Sequence, residues 1–269
     1  MADEEGDLAS ALYVAPSERD PVRAVAEGGK PKRLARFYKT VAVAPQGESF
    51  AVLLDGKPLR TPARAALLLP REALAEAVAR EWQAQVEHVV PGTMPLTRLA
   101  NSALDGVSPR MAEVEADAAK YAGSDLVCYR AGDPAALVAA QSEAWDPLLA
   151  FIRERCGARF ALSEGVIHHT QPQESLEAIG RLLHEAVGAG AAAPFRLAGI
   201  HVMTTLSGSL VVALAVALRH IDADAGFAAA HVDEDFQLRV WGADAEALAR
   251  RARRLEEMRA AALCVALAG

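Results

Sequence analysis

The sequence is poor in aromatic residues and in cysteine. Only 5% of its 269 residues are aromatic although 52% are hydrophobic, so alanine, leucine and valine must build most of the core, a composition that favours helices. The three cysteines, Cys128, Cys156 and Cys264, lie far apart, and none has a neighbour at metal-ligand or redox spacing. We therefore expect reduced, mostly buried thiols in an intracellular compartment.

Positive charge is also in deficit. Lysine and arginine number 28 against 35 aspartate and glutamate residues, which gives a net charge of −7. Binding to nucleic acid or to an anionic membrane surface requires clustered positive charge. We expect neither kind of binding, although local basic patches remain compatible with this total.

The sequence lacks a long hydrophobic run and a targeting segment. Residues 1–30 are acidic at their start, have no apolar core of signal-peptide length and differ from an arginine-rich transit peptide, so we expect a partly disordered tail on a cytoplasmic protein. In residues 197–218 the uninterrupted apolar part extends only from Leu210 to Leu218, which is too short to cross a bilayer. This segment is predicted to be a buried core helix, without membrane insertion.

Residues 31–95 are predicted to form a β-rich N-terminal domain with one helix. Short β-prone runs occupy residues 37–69, and the Asp55-Gly56 pair between two of them predicts a hairpin, with Pro58 at a sheet edge. From residue 71 the apolar spacing changes to that of an amphipathic helix over residues 71–88. The apolar face of that helix consists of Leu74, Val78, Trp82, Val86 and Val89, and it places Glu81 and Gln85 where they are partly buried.

Residues 96–269 are predicted to form a larger, all-helical C-terminal domain, so the fold class is α+β. Ser108, Asp133 and Asp146 each precede a proline, a pattern typical of helix starts, and helices are expected to stop at Gly157 and Gly188. Further helices are predicted over residues 209–219, about 224–241 and 244–266.

The segment HVDEDFQLRVWG, residues 231–242, combines three acids with large apolar residues. On an ideal helix, Ala229, Phe236 and Val240 gather within about 80° of Val232 and would form the core stripe. Asp235 and Arg239, four residues apart on the opposite side, can pair on a solvated face.

Two of the acids are less ordinary. Glu234 projects into a second apolar band that contains Trp241, while Asp233 and Gln237 lie on the border between the bands. A carboxylate among apolar neighbours meets a cation, shifts its pKa or lies on a surface that a partner covers. An internal ion pair, a partner-binding surface and a catalytic or metal role all remain open.

Motifs of catalysis and cofactor binding are missing from the sequence. It contains no P-loop, no GxGxxG, no HExxH, no CxxC and no GxSxG. His168-His169 is predicted to lie in a loop, because adjacent side chains diverge and do not converge on a metal. The RRARR run, residues 250–254, is predicted to be a solvated face, with contact to an acidic partner as the alternative. We expect no cofactor and no metal.

Seven segments occur in an order and spacing that resembles the ATP synthase alpha-subunit assembly chaperone family of mitochondria and related bacteria. They are RFYKTVAV (36–43), LLDGKPLRTP (53–62), EWQAQ (81–85), MPLTRLANSALD (94–105), YAGSDLVCYRA (121–131), WDPLL (145–149) and EDFQLRVWG (234–242). Together they span most of the chain.

The resemblance implies a non-enzymatic chaperone that holds newly made alpha subunits until beta subunits join, without ATP or metal of its own. The family has a functional acidic pair before the aromatic-glutamine motif, which falls on Asp233 and Glu234, although the first acid is here the shorter aspartate. The predicted partner-binding residues are Glu234, Asp233, Gln237 and Trp241. Mitochondrial members carry a targeting segment and act in the matrix, so the resemblance implies that this chain is a bacterial cytoplasmic member. The chain alone is expected to be monomeric.

Two rival hypotheses come from the residues alone. A hydrolase would use Asp233 or Glu234 as general acid or base with a nearby histidine, and it requires a closed site with these carboxylates pointing inward. The β-rich part could instead bind a peptide by strand addition.

Overall fold

The structure, a computed structural model, describes residues 34–165, 168–242 and 244–269. The predicted tail over residues 1–30 therefore lies outside the described residues. The chain divides into two compact units, the first extending to Arg110 and including Leu267–Gly269, the second comprising Met111–Ala266.

The first unit contains short strands joined by tight turns. They are β1 (Leu34–Ala35), β2 (Val41–Gln46), β3 (Ser49–Leu54), β4 (Lys57–Pro58), β5 (Leu68–Leu69) and β6 (His88–Val89). Strand β3 pairs antiparallel with β2, β4 and β5, and β1 pairs antiparallel with β6. Asp55 and Gly56 have φ values of 47° and 78° between β3 and β4, so the predicted hairpin is confirmed. Pro58 lies on the edge strand β4, as predicted.

Helices α1 (Glu72–Gln83) and α2 (Pro95–Ser102) complete the first unit, followed by a π-helical turn over Ala103–Val107. Leu74, Val78 and Trp82 are buried as predicted. The predicted extension of α1 to residue 88 is wrong, and Val86 is 79% exposed. After α1 the chain becomes extended to pair with β1, and the N–H of Arg36 donates to the Glu87 carbonyl at 2.8 Å.

Glu81 is half-buried and Gln85 is buried, and both have specific polar partners, as buried polar groups require. The Oε1 of Glu81 accepts from the N–H of Leu96 at 2.7 Å, and its Oε2 accepts from the N–H and the hydroxyl of Thr97, each at 2.7 Å. Glu81 thus caps the N-terminus of α2. The amide of Gln85 accepts from the N–H of Val90 at 2.7 Å and donates to the Glu81 carbonyl, which holds the turn after α1.

The second unit is mostly helical, which confirms the α+β class. Its helices are α3 (Met111–Lys120), α4 (Ala135–Cys156), α5 (Gln173–Val187), α6 (Ala193–Ser207), α7 (Leu210–Ala217), α8 (Ala223–Ala230), α9 (Val232–Trp241) and α10 (Ala245–Ala268). The same unit also contains a short parallel pair of strands, β7 (Tyr129–Arg130) and β8 (Ser163–Glu164).

The helix ends at Gly157 and Gly188 are confirmed, with φ values of 79° and 65°. Helix α4 begins directly after Pro134, close to the predicted start. The predicted start at Asp146 is wrong, because Pro147 lies inside α4. Proline removes one intrahelical hydrogen bond, but burial of Trp145, Leu148 and Ile152 on the same helix outweighs this loss.

The apolar segment 197–218 forms two helices, α6 and α7, separated at Gly208, where φ is 69°. Every side chain from Leu210 to Val216 is buried, so the predicted core location is confirmed. The buried carboxylate of Asp125 accepts from the N–H of Val211 at 3.1 Å at the start of α7, and burial raises its pKa to about 6.

Among the described residues, no single helix is both long enough and apolar enough to cross a bilayer. Two consecutive helical segments, Gln173–Val187 and Gly190–Ser207, together have the length and apolar composition of a membrane span. They are bent by 110° at the break between them.

Candidate functional site on helices α9 and α10

The predicted helix over about 224–241 is two helices that break at His231. The Nδ1–H of His231 donates to the Phe227 carbonyl at 2.7 Å, and the two rings stack with centroids 3.9 Å apart. Since the carbonyl can only accept, Nδ1 carries the proton. His231 is thus the residue at which α8 ends and α9 begins, and its buried imidazole satisfies a carbonyl of α8.

Helix α9 lies at the surface, and none of its residues is buried. The predicted core stripe is therefore wrong: Val232 and Phe236 are only half-buried, and Val240 is 57% exposed. Because α9 covers the core only partly, its apolar face stays partly exposed and does not form a continuous buried stripe.

Asp233 joins α9 to α4. Its Oδ1 accepts from the Nε2 of buried Gln141 at 2.6 Å, and the Oε1 of Gln141 accepts in turn from the N–H of Ala131 at 2.8 Å. All three groups have partners, so this contact is structural.

Asp235 and Glu234 both face Arg251 of α10. The Nη2 of Arg251 lies 2.6 Å from Oδ1 of Asp235, and its Nη1 lies 3.6 Å from Oε2 of Glu234. The ion pair between Asp235 and Arg251 therefore connects α9 to α10, in place of the predicted pair between Asp235 and Arg239. The Arg239 guanidinium lies over the Phe236 ring instead. The Glu234 side chain remains 58% exposed.

His231 does not form a hydrogen bond with Glu234. Its Nε2 lies 3.8 Å from Oε2 of Glu234, beyond hydrogen-bond distance. Burial lowers the pKa of His231, more than the Phe227 carbonyl and the Glu234 carboxylate raise it, and Arg254 and Arg251 lower it further. The imidazole is therefore neutral at neutral pH, and its unprotonated Nε2 has no proton to donate.

A groove with a volume of about 430 Å³ separates α9 from the first turns of α10. Its lining residues are His231, Glu234, Gln237, Leu238, Trp241, Gly242, Ala247, Leu248, Arg250, Arg251 and Arg254. Trp241 is 85% exposed and Leu248 49% exposed. The groove thus combines accessible apolar surface with charged side chains, which is typical of a protein-binding surface.

The structure places three of the four predicted partner-binding residues in this groove. Glu234, Gln237 and Trp241 line it, whereas Asp233 is turned toward Gln141 of α4. The opposite wall is formed by arginines of the RRARR run, for which contact with an acidic partner was the alternative expectation. Their spacing in the RRARR run places residues 250, 251 and 254 on one helix face, and Arg251 and Arg254 are only partly exposed, so the predicted solvated face is wrong for them.

No group of three or more histidine, cysteine, aspartate or glutamate side chains within the described ranges could hold a metal ion. His168 lies 3.2 Å from the Tyr129 hydroxyl, in a loop as predicted. Cys128 and Cys264 are buried, and Cys156 is half-buried.

Comparison with known proteins identifies the class to which this fold and surface belong. The model of the ATP12 chaperone protein family matches residues 35–153. The Atu1473 protein of Agrobacterium tumefaciens, a proposed chaperone, is 45% identical, with a TM-score of 0.84 over 97% of this chain and 96% of that one. Atp12 of Paracoccus denitrificans is 42% identical, with a TM-score of 0.80 over 88% of this chain and 99% of that one.

A more distant relative is the mitochondrial protein atp12 of Schizosaccharomyces pombe, 23% identical over 77% of this chain and 73% of that protein. The class is therefore that of chaperones and not of enzymes. The chain belongs to the ATP12 chaperone family, which is involved in ATP synthase assembly.

Proposed function

We propose that this chain binds the unassembled alpha subunit of the F-type ATP synthase catalytic head and prevents its aggregation until beta subunits join. An unpartnered subunit exposes a large apolar interface, which is an aggregation hazard. A temporary binder must cover that interface yet bind it less favourably than the final partner does. The observation that carries the proposal is the groove between α9 and α10, beside which Trp241 is 85% exposed.

The proposed contact residues are Glu234, Gln237 and Trp241, and Asp233 holds α9 in place through Gln141. Trp241 would be the main apolar contact, since tryptophan is enriched among the residues that contribute most to binding at protein interfaces. Glu234 keeps an exposed carboxylate at the groove. Through this surface the chain would act as a monomer in the bacterial cytoplasm, and its eukaryotic relatives in the mitochondrial matrix.

The rival hydrolase hypothesis is set aside because the family and its structural neighbours are chaperones. Geometry agrees with this, since Asp233 is held by Gln141 and the exposed Glu234 lies 3.8 Å from the nearest histidine nitrogen. Neither carboxylate forms the hydrogen bond to a histidine that this hypothesis specifies.

Surface variants test the proposed contact. We expect Trp241→Ala and Glu234→Lys each to weaken binding to purified alpha subunit by about tenfold or more, as measured by titration calorimetry. Their own melting temperatures should stay close to that of the unmodified chain, because both side chains are mostly exposed. Glu185→Lys, an exposed charge reversal on α5, is the control.

A large fall in the melting temperature of Glu234→Lys would assign Glu234 a structural role. Binding by both groove variants equal to that of Glu185→Lys would exclude this surface as the contact.

A further inference from the structure

The two walls of the groove differ in charge. The α10 wall presents Arg250, Arg251 and Arg254, whereas the α9 wall contributes one carboxylate, that of Glu234. His231 adds no positive charge at neutral pH, since its pKa is lowered. Among the side chains that line the groove, three are thus positive and one is negative, although the whole chain has a net charge of −7.

Two of the three arginines have carboxylate partners of their own. Arg251 pairs with Asp235 at 2.6 Å, and Arg250 pairs with Glu246 of the same helix at 2.6 Å. These two pairs neutralise charge within the chain, so a partner would have to compete with Asp235 or Glu246 for either arginine.

Arg254 differs from them. Its Nη2 donates to the backbone carbonyl of Leu206 at 2.8 Å, a neutral acceptor that fixes the guanidinium but does not neutralise its charge. Over residues 34–165, 168–242 and 244–269, no carboxylate lies within ion-pair distance of Arg254. A half-buried, uncompensated guanidinium is a favourable site for a carboxylate, which it can bind with two parallel hydrogen bonds.

Apolar side chains lie next to this cation. Leu238 and Trp241 of α9 and Leu248 of α10 line the same groove. A segment that fills it therefore needs an apolar side chain for these residues and an acidic side chain for Arg254.

We propose that the groove between α9 and α10 binds an acidic, apolar segment of the alpha subunit, and that Arg254 is the contact for a carboxylate of that segment. This inference rests on the proposed function and specifies the chemistry that the partner presents. It also gives the RRARR run a role in binding. Charge complementarity favours an acidic side chain next to Arg254 on the α10 wall, whereas Glu234 on the α9 wall favours a donor or basic side chain of the same segment.

The test compares two neighbouring arginines of one helix. Arg254 lines the groove, whereas Arg253 is exposed and does not line it. Using purified alpha subunit as the probe, we expect Arg254→Gln to weaken binding by about tenfold and Arg253→Gln by less than about twofold. Arg254→Lys, which keeps the charge but not the paired donors, should fall between them.

Salt provides a second readout. Binding of the unmodified chain should weaken between low and high salt, and Arg254→Gln should show a shallower dependence than Arg253→Gln, because one charge pair has been removed. Melting temperatures of all variants are measured in parallel. If Arg254→Gln is unfolded, the comparison of Arg254→Lys with Arg253→Lys decides the question.

The outcomes separate the two proposals. If the unmodified, folded chain does not bind the alpha subunit, the proposed function fails and this inference with it. If that chain binds but Arg254→Gln binds as well as Arg253→Gln, or more tightly, the acidic-segment inference is overturned while the proposed function stands.

Discussion

Each of the three neighbouring acids of α9 has a different role. Asp233 accepts from Gln141 of α4, and Asp235 pairs with Arg251 of α10. Glu234 keeps a longer contact of 3.6 Å to Arg251 and remains the most exposed of them. Two acids thus fix the position of the helix, which leaves Glu234 as the one available to a partner.

Another residue, Glu81, connects two of the sequence segments on which the resemblance to the family was based. The segment EWQAQ contains Glu81, and MPLTRLANSALD contains Leu96 and Thr97, whose N–H groups donate to the Glu81 carboxylate. Helix α2 has no capping side chain of its own. The two segments therefore meet for a structural reason, independent of any partner.

Replacement of Glu81 tests this capping role. Glu81→Gln keeps the shape but loses the charge and one acceptor oxygen, so we expect the free energy of unfolding to fall by about 1–2 kcal/mol. In a chain of this size the melting temperature would fall by about 2–4 °C per kcal/mol, measured by differential scanning calorimetry. Glu76→Gln, on the exposed face of the same helix, is the control and should change little. Equal melting temperatures for the two variants would refute the capping role.

At the scale of helices and strands, local sequence chemistry predicts turns and ends well. Asp55-Gly56 adopts the positive φ values that a tight hairpin needs, and Gly157 and Gly188 end their helices. These outcomes depend on a few neighbouring atoms, so the sequence nearby is sufficient. In contrast, Pro147 stays inside α4 because packing of distant residues outweighs its local preference.

The candidate site was predicted only in part for the same reason. The sequence indicated Glu234, Gln237 and Trp241 but could not show which helix faces them. That helix is α10, whose arginines form the opposite wall of the groove. The apolar spacing of α9 predicted a core stripe, yet the same spacing is compatible with a surface helix whose apolar residues are left for a partner.

The packing of α6 against α10 depends on a glycine. A methyl group on Gly199 would lie 2.5 Å from Cγ2 of Val265 and 2.8 Å from the Ala261 carbonyl oxygen, which is closer than real contacts allow. Gly180, inside α5, has nothing within 4 Å of the corresponding position. The two glycines therefore allow a matched comparison.

We expect opposite effects from the two substitutions to alanine. Gly199→Ala should reduce the free energy of unfolding by about 1–3 kcal/mol, because the clash separates the helices. Gly180→Ala should increase it by about 0.5–1 kcal/mol, since alanine favours a helix more than glycine does. Chemical denaturation of both variants measures the difference. Stabilisation by Gly199→Ala would show that α10 does not pack closely on α6.

At the scale of the whole molecule, most apolar residues form the cores of the two units, but several large apolar side chains remain exposed on the surface. Large exposed apolar side chains occur in both units, including Phe37 and Val86 in the first and Val240, Trp241 and Leu248 in the second. Such a chaperone must also avoid self-association. The net charge of −7 opposes contact between two copies of the chain.

The family explains why this chain lacks catalytic motifs. A chaperone needs a surface whose shape and charge complement its client, and it forms no covalent bond with that client. The groove between α9 and α10 fits this requirement, with Trp241, Glu234 and Arg254 as its distinguishing residues. Because a surface of this kind has no short signature, ordered resemblance over many segments indicated the function better than any single motif.

Co-expression in a bacterial host tests whether the chain protects the unassembled alpha subunit, as we propose. The alpha subunit would be expressed alone, with the unmodified chain, and with the Trp241→Ala variant, and its supernatant fraction and elution by size exclusion would be measured. We predict that the unmodified chain keeps most of the alpha subunit in the supernatant as a stable complex, and that Trp241→Ala does so much less. Equal aggregation of the alpha subunit with and without the folded, unmodified chain would show that the chain does not protect it.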